Sequence, residues 1–230
     1  MKKYLTALLF LVFAVSGCEF KDVFYITNTA DMVTVTEGQI VNDYGYVYAI
    51  TQDNTDKAWN EEDGARLYIV FDVLNRQYDI ALKQYLKATV SQPVNGVPLP
   101  EEGGALGADP VEVINNRISG GYLNLVMQYY RMPSSDHVHR MSIRYIDNAE
   151  TNTLELRLLH DGNGENPAQR SSSDLVQDAC VYCFPLEGMA PKGSTRSLTL
   201  TIDYLNTTAD GKSEIKQATY SLANNTPISF

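Results

Sequence analysis

Cysteine and histidine are both scarce in this chain, with three of each among 230 residues. Small secreted domains that rely on disulfides carry many more cysteines, so this scarcity excludes a disulfide scaffold. Stability must therefore come from a hydrophobic core. We also expect no cofactor.

Basic residues are also in short supply: 18 lysines and arginines stand against 28 aspartates and glutamates, which gives a formal charge of −10. A surface of this sign repels phosphate backbones, so we expect no nucleic-acid partner. The chain equally lacks the polybasic cluster that would attract it to anionic lipid. The acidity by itself favours solubility and indicates no particular ligand.

Long apolar runs are absent after the N-terminus. The one such run, residues 5–15, follows a basic start and is shorter than the ~20 residues that cross a bilayer. It ends in Ser-Gly before Cys18, where small residues give a peptidase access and the thiol can take a diacylglycerol. This pattern predicts a lipoprotein signal peptide over residues 1–17 and a lipid on Cys18. An ordinary secretory signal or an N-terminal membrane helix fits less well.

The lipid on Cys18 would hold the mature chain on a membrane. Each buried methylene contributes ~0.8 kcal/mol, and stable attachment takes at least two acyl chains. The resemblance of this N-terminus to bacterial lipoproteins implies three chains on the cysteine. We therefore expect a cell-envelope protein that is lipid-anchored to the outer membrane. The sequence does not distinguish the cell-surface face of that membrane from its periplasmic face. Residues 18–31 would form the tether, and loss of Lys2 and Lys3 brings the formal charge to −12.

Strand signals dominate the first half of the mature chain. Valine and threonine alternate over residues 33–36, tyrosines alternate with other residues over 44–50, and residues 66–72 are β-branched and aromatic. Alternation of this kind is typical of half-buried sheets. Residues 79–86 are predicted to form one or two helical turns. About five strands in residues 32–92 predict a small closed barrel.

Prolines and glycines cluster in residues 93–109, where they interrupt strand pairing and mark a linker. Beyond this linker, residues 110–230 contain about seven short strand-like segments, including 122–129 and 154–159. That number of strands in a unit of this size predicts a two-sheet antiparallel β-sandwich. The predicted fold class is therefore all-β, with a small barrel followed by a sandwich.

The histidines offer one arrangement for a metal site. His137 and His139 lie two apart and would point the same way on a strand, with Asp136 and His160 nearby as further ligands. However, turn-forming residues flank the site, and nothing fixes a third or fourth ligand. We therefore favour histidines at strand ends and predict no metal.

Cys180 and Cys183 have the spacing of redox and zinc motifs. The segment continues into Phe184 and has the composition of a strand, on which residues three apart face opposite ways and lie ~10 Å apart. A disulfide needs α-carbons within ~7 Å, and a thioredoxin-type site needs a helix that the sequence does not predict here. We predict buried strand cysteines, with a disulfide left open only if the segment turns or bulges.

No signature of an enzyme is present in the sequence. Gly120-Gly121 lacks the spacing of a phosphate loop, and no Gly-x-Ser-x-Gly elbow occurs. Several carboxylates cluster in polar loops, where such groups are normally solvated. They are Glu61, Glu62, Asp63, Glu101 and Glu102. We predict no catalytic residues, and an enzyme is the third hypothesis for function.

Tyrosine is abundant, with 15 copies. Tyr122, Tyr129 and Tyr130 lie near one predicted strand, and the single tryptophan, Trp59, lies in an acidic loop. Such rings can stack on sugars or anchor a protein interface. Sheet packing is the competing explanation for the tyrosines. For Trp59, a core role and an exposed contact role are equally favoured.

Stretches of the second unit resemble the NigD-like lipoprotein family. They are residues 118–125 (Ile-Ser-Gly-Gly-Tyr-Leu-Asn-Leu), the pair 139–145 and 154–160, and residues 184–186 (Phe-Pro-Leu). The lipoprotein N-terminus and the order of the two units fit as well. The chain departs from the family through an insertion at residues 53–63, and its tether lacks the acidic run common after the lipidated cysteine.

The resemblance implies an OB-like barrel followed by a β-sandwich on a lipid anchor, in a group named as immunity proteins for the bacteriocin nigrescin. No catalytic residues come with it. The leading hypothesis is a non-enzymatic envelope protein that binds a protein partner, which the family name suggests is a bacteriocin. The alternative is an accessory lipoprotein of an outer-membrane nutrient-uptake complex, with a glycan or peptide as its ligand. The sequence assigns no ligand-binding residues.

Overall fold

The computed structural model describes residues 25–56, 59–96, 109–134, 136–162, 165, 174–189, 196–207 and 213–222. These residues form thirteen β-strands and no α-helix, which confirms the predicted all-β class. The predicted signal peptide and Cys18 lie outside the described residues. Within the described ranges, no helix is long and apolar enough to cross a membrane.

The first five strands form a barrel. They are β1 (Ile26–Thr36), β2 (Gln39–Asn42), β3 (Val47–Asp53), β4 (Arg66–Val73) and β5 (Asp79–Val90). β1 pairs antiparallel with both β2 and β4, and β2 pairs antiparallel with β3. β5 pairs antiparallel with β4 and parallel with β3, so the sheet closes on itself. This is the OB-like barrel that the resemblance implies.

One segment of the barrel differs from its predicted structure. Residues 79–86, predicted as helical turns, belong to strand β5, and that prediction is wrong. Their alanine, leucine, lysine and glutamine side chains favour a helix in isolation. In the fold, β4 and β3 pair with β5 on its two sides, and Ile80 and Leu82 are fully buried in the barrel. Tertiary packing therefore overrides the local preference.

The remaining strands form a sandwich of two sheets. They are β6 (Val94–Asn95), β7 (Glu112–Ser119), β8 (Tyr122–Arg131), β9 (Arg140–Asn148), β10 (Thr153–Asp161), β11 (Val176–Pro185), β12 (Ser197–Thr207) and β13 (Ser213–Leu222). One layer has the order β11-β8-β7 and the other β13-β12-β10-β9-β6. Most neighbours are antiparallel, as predicted, but β12 runs parallel to β10 and β6 parallel to β9. Inward side chains from both layers, such as Leu125 and Leu156, form one core.

The barrel and the sandwich are joined through one continuous sheet. The end of β5 pairs in parallel with β11, where Val181 lies opposite Ala88 and Cys183 lies opposite Val90. A separate cluster of buried side chains fills the space between the two units and includes Met32 of β1 and Cys183 of β11. The pairing of β5 with β11 therefore fixes the position of the barrel relative to β7 and β8.

Two predicted boundaries are crossed by strands. β1 begins at Ile26, within the predicted tether of residues 18–31. β6 lies within the predicted linker of residues 93–109 and pairs with β9, so part of that segment belongs to a sandwich sheet. The division of the chain into residues 32–92 and 110–230 stays a prediction.

Candidate functional site

A buried ion pair lies where the barrel meets the sandwich. Asp43 follows β2, Arg66 opens β4, and their side chains are only 4% and 5% exposed. The Arg66 guanidinium donates from Nη1 to Oδ1 of Asp43 at 2.8 Å and from Nη2 to Oδ2 at 2.7 Å. Burial by itself lowers the pKa of Arg66, but the Asp43 carboxylate more than offsets this and the net pKa is raised. Arg66 therefore stays charged in a buried setting.

Side chains of the sandwich complete this pair. Asn124 of β8 accepts a hydrogen bond from Nη2 of Arg66 at 2.9 Å, and the Ser119 hydroxyl of β7 donates to Oδ2 of Asp43 at 2.5 Å. The guanidinium also lies over the ring of Tyr122, 4.5 Å from its centroid. A buried ion pair is stable only when its remaining polar atoms find partners, and the sandwich supplies them. We call Asp43, Arg66, Ser119 and Asn124 the junction network.

Gly120 allows the sandwich to approach the junction network closely. Its φ is +59°, and a Cβ at this position would lie 2.5 Å from Oδ1 of Asp43. A left-handed backbone and the absence of space for a side chain both require glycine. Gly120 lies within residues 118–125, the segment that carries the family resemblance. Contact with the barrel therefore explains this motif without any ligand.

The turn between β2 and β3 is fixed by one buried side chain. Oδ1 of Asn42 accepts hydrogen bonds from the backbone N–H groups of Tyr44 and Tyr46, at 3.0 and 2.9 Å. Nδ2 of Asn42 donates to Asp31 at 2.8 Å and to the Tyr48 hydroxyl at 3.1 Å. Because the Asn42 amide uses both of its oxygen lone pairs and both of its N–H groups, it holds the turn in one conformation.

This turn presents an exposed aromatic surface, which we call the tyrosine patch. Its members are Tyr44, Tyr46, Val47 and Tyr78. Tyr44, Tyr46 and Val47 are 62%, 50% and 44% exposed. Tyr46 packs on Tyr78 with 5.2 Å between ring centroids, and Arg117 of β7 lies over the Tyr44 ring at 5.0 Å. Because Arg117 belongs to the sandwich, the patch lies at the junction of the two units.

The sequence analysis predicted neither the tyrosine patch nor the junction network. The alternation over residues 44–50 predicts a strand face, but β3 begins only at Val47, so Tyr44 and Tyr46 lie in the turn. A usable signal was present, because Asn-Asp shortly before a glycine is typical of a turn. Asp43 and Arg66 have no local signal, since they are 23 residues apart and meet only when the barrel closes.

Two of the three histidines form a buried hydrogen-bonded chain. His160 of β10 donates from Nδ1 to the carbonyl of Pro110 at 3.2 Å, since a carbonyl can only accept. Nε2 of a neutral His160 then accepts from Nδ1 of His139, 2.9 Å away. Nε2 of His139 faces Oε2 of Glu165 at 3.3 Å.

This histidine chain is sealed from solvent. The side chains of His139 and Glu165 are 2% and 1% exposed, and Tyr129 stacks on His139 at 4.4 Å. Burial, followed by the charge of His139, lowers the pKa of His160. The ring of His137 lies 5.6 Å from that of His139. Among the described residues, no three His, Cys, Asp or Glu side chains form a metal-binding group.

Cys180 and Cys183 both lie on β11 as free thiols, in agreement with the strand that the sequence predicts. Cys183 is fully buried and accepts a hydrogen bond from Nε of Arg66 at 3.3 Å, whereas Cys180 is half-buried. Burial raises the pKa of both thiols, that of Cys180 to about 12. Since the thiolate is the reactive and ligating form, these cysteines suit packing better than chemistry.

The acidic loop around Trp59 is explained by packing and turn structure. The Trp59 ring meets that of Tyr85 edge-on at 5.3 Å and packs, partly buried, against the barrel core. Glu61 forms an ion pair with Lys87 at 3.0 Å, and Asp63 accepts two backbone N–H bonds in the β1–β2 turn. Two further carboxylates lie outside the described residues: Glu101 and Glu102.

The sandwich region shows which family this chain belongs to. A family model described as the NigD-like C-terminal beta sandwich domain matches residues 95–219, more than half of the chain. The chain belongs to the NigD-like family. The matched region of this NigD-like chain contains the histidine chain and the sandwich half of the junction network, Ser119 and Asn124.

Solved structures share the fold of this NigD-like chain. A NigD-like immunity protein from Bacteroides caccae is 18% identical with a TM-score of 0.56, covering 86% of this chain and 99% of that one. A protein of unknown function from Bacteroides vulgatus is 20% identical with a TM-score of 0.54, covering 85% and 92%. A candidate lipoprotein from Bacteroides fragilis is 14% identical with a TM-score of 0.53, covering 87% and 100%. No curated protein matches this chain.

Proposed function

We propose that this NigD-like chain is a lipid-anchored envelope protein that binds a protein partner through the tyrosine patch and performs no catalysis. In the mature protein, from which residues 1–17 have been removed, the lipid on Cys18 holds the chain at the outer membrane. The observation that carries the proposal is the rigid turn that exposes Tyr44 and Tyr46 at the junction of barrel and sandwich.

The tyrosine patch has the properties of a protein-binding hot spot. Tyrosine and arginine are enriched at such sites, and tyrosine offers a large contact area with few rotatable bonds. Asn42 already fixes the backbone of the turn, so little conformational entropy remains to be lost on binding. Arg117 adds a planar cation beside the Tyr44 ring, where it can also contact a partner.

The partner that we propose is a bacteriocin, as the family name suggests. One solved relative, from Bacteroides caccae, is described as a NigD-like immunity protein. The formal charge of −12 on the mature chain favours encounter with a cationic protein or peptide. A binder held at the outer membrane would capture such a toxin before the toxin reaches its target.

The interior of the sandwich favours a binding role over an enzymatic one. The histidine chain contains residue types found in catalytic relays, but its ring nitrogens contact Pro110, one another and Glu165 in a sealed site. A general base must come within about 3 Å of the proton that it abstracts from a substrate. His139 and His160 are better explained as a buried polar network that orders one end of the sandwich.

Cross-linking in intact envelopes tests this function. The anchored wild-type protein and a Tyr44→Ala/Tyr46→Ala variant are cross-linked and purified, and the captured proteins are identified by mass spectrometry. We expect the wild type to capture a secreted toxin or its membrane target. The variant should capture at least about 30-fold less, because loss of a single hot-spot tyrosine costs roughly 2 kcal/mol or more.

A matched control separates the patch from a general effect of lost tyrosine. Tyr25 is another exposed tyrosine of the barrel, at 51% exposure, and Tyr25→Ala should capture the partner as the wild type does. Undiminished capture by the Tyr44→Ala/Tyr46→Ala variant contradicts the proposed binding surface.

A second candidate function is that of an accessory lipoprotein in an outer-membrane nutrient-uptake complex. It is favoured by a cleft at the edge of the sandwich whose lining residues include Tyr129, Tyr204 and Tyr220. In that case the same cross-linking experiment recovers a transporter instead of a toxin.

A further inference from the structure

The sandwich has a cleft where the edges of its two sheets meet. The cleft has a volume of about 370 Å³ and is bordered by β7 and β8 of one sheet and by β12 and β13 of the other. Tyr129 and Tyr204, which line it, also pack on the sandwich core. Tyr220 lies opposite the buried Leu200 in the ladder, which places it on the inner face of its sheet, yet it is 44% exposed. The inner surface of the sandwich is therefore accessible beside β13.

β13 is an edge strand with a regular ladder on one side. Ten consecutive residue pairs, from Leu198 opposite Leu222 to Thr207 opposite Ser213, join it to β12 without a register shift. In the part of the chain that the structure describes, no strand pairs with its other side. Alternate N–H and C=O groups of an edge strand point away from the sheet, where they can pair with another backbone. β13 can therefore accept a further strand next to the cleft.

The other edge strand beside the cleft, β7, is a poorer template for pairing. Its register with β8 shifts between Val113 and Asn115, which marks an irregularity of the β-bulge type. A bulge bends and twists an edge strand and interrupts its regular row of backbone groups. We therefore assign strand pairing to β13 rather than to β7.

The side chains of β13 alternate between apolar and polar beside the cleft. On its inner face, Ala218 and Leu222 pack on the core on either side of Tyr220. On its outer face, Thr219 and Ser221 are both exposed. A strand that pairs with β13 meets apolar neighbours on one face and hydroxyl groups on the other. Apolar and polar side chains should therefore alternate along that strand as well.

Two charged side chains limit the surface at the other end of β13. Glu214 and Lys216 occupy the inner positions there and form an ion pair at 2.7 Å. Charges on an edge strand discourage its pairing with another strand. We call residues 217–222 of β13, together with the cleft, the docking edge.

We propose that the docking edge binds an extended segment of a partner polypeptide in which apolar and polar residues alternate. The backbone of the segment pairs with β13 as an added strand, and its apolar side chains enter the cleft beside Tyr220. The formal charge of −12 on the mature chain favours a segment with basic residues among its polar positions. The docking edge does not include the tyrosine patch, so this proposal does not depend on a toxin partner.

Peptide titrations followed by NMR test this site. The full mature chain carries Cys18→Ala, which removes only the lipid, and is labelled with nitrogen-15. The probes are peptides Lys-x-Thr-x-Thr-x-Lys, in which each x is Val, Ile, Leu or Phe. We expect at least one of them to shift the amide signals of β13 and the cleft. The same peptide N-methylated at its three central residues should not bind, because it has lost the backbone donors of a strand.

Variants of β13 then locate the binding. Tyr220→Ala should weaken the affinity for the bound peptide about fivefold through the lost contact in the cleft. Ser221→Ala is the matched control on the outer face of the same strand and should leave the affinity nearly unchanged. Binding of no peptide, equal binding of the N-methylated form, or equal affinities in the two variants overturns the proposal.

Two other occupants of the docking edge would also overturn it. A dimer of the mature chain with β13 in its interface, detected by analytical ultracentrifugation and NMR, would show that a second copy covers the edge. Peptide binding that occurs only in a variant ending at residue 222 would show that the chain's own C-terminal residues cover it. None of these results bears on toxin capture by the tyrosine patch.

Discussion

Asp43 and Arg66 are buried charges of the barrel that also hydrogen-bond to Ser119 and Asn124 of the sandwich. Removing two charges from water costs several kcal/mol for each ion, even after the protein relaxes. The bidentate contact between Arg66 and Asp43, together with the hydrogen bonds to Asn124 and Ser119, offsets that cost. Loss of one charge leaves the other buried without compensation.

Replacement of Arg66 tests this balance. We expect Arg66→Met to lower the free energy of unfolding by about 3–5 kcal/mol, because the Asp43 carboxylate stays buried and unpaired. Urea unfolding followed by circular dichroism measures the loss. Arg131→Met is the matched control, since Arg131 pairs with Asp178 at a half-exposed site, and it should lower the free energy of unfolding far less.

A double variant distinguishes the ion pair from simple loss of packing. Asp43→Asn/Arg66→Met removes both charges and should recover part of the stability lost in Arg66→Met. Equal losses in Arg66→Met and Arg131→Met would show that burial of the pair does not matter.

The adjacent glycines Gly120 and Gly121 give a second test at the residue scale. Both have positive φ, so alanine at either position pays about 1–2 kcal/mol for a left-handed backbone. At Gly120 the new Cβ also meets Asp43 at 2.5 Å, whereas nothing lies within 4 Å at Gly121. Gly120→Ala should therefore unfold at a distinctly lower urea concentration than Gly121→Ala. Indistinguishable midpoints would argue against the close contact.

At the scale of elements, the histidine chain ties β10 to the segments that hold Pro110 and His139. Protonation of His160 would turn its Nε2 from an acceptor into a donor that faces the N–H of His139. The contact between the two rings would then be lost. This is the physical reason why acid should loosen this end of the sandwich.

The pH dependence of stability follows from the lowered pKa of His160. Below its ordinary value of 6.5, the unfolded chain binds a proton that the folded chain does not, so stability falls as the pH drops. Well above pH 6.5, His160 is neutral in both the folded and the unfolded chain, and this loss of stability does not occur. Urea unfolding between about pH 7.5 and pH 5 should show a steeper loss in the wild type than in His160→Gln, which cannot titrate. Identical slopes would contradict the depressed pKa.

Strands with clear alternation could be predicted from the sequence. Leu154, Leu156 and Leu158 point into the core of the sandwich as their spacing predicts. Residues 79–86 were mispredicted because their composition favours a helix, and only pairing with β3 and β4 makes them a strand. The tyrosine turn was missed because its conformation depends on Asn42, whose own amide is held by Asp31.

At the scale of the whole molecule, the proposed anchor determines where the protein acts. We expect a wild-type precursor, expressed in a bacterium that processes lipoproteins, to incorporate labelled palmitate and to sediment with outer membranes. Cys18→Ser should abolish the label and release the protein from the membrane fraction. Persistent membrane attachment of the Cys18→Ser variant would show that another feature holds it there.

The candidate site also belongs to this largest scale, because it combines the tyrosine patch of the barrel with Arg117 of the sandwich, which lies over the Tyr44 ring. Tyr44 and Tyr46 come from the first unit, and Arg117 comes from the second. No pattern within either unit predicts that these side chains meet. The continuous sheet from β5 to β11 brings them together.

Site-specific photo-cross-linking tests partner binding by the tyrosine patch most directly. A photoreactive phenylalanine analogue replaces Tyr46, or Tyr25 as a control position, in the anchored protein, and intact envelopes are irradiated. We predict one discrete cross-linked product from position 46 and none of the same mass from position 25. No product from position 46, or the same product from both positions, would contradict binding through the patch.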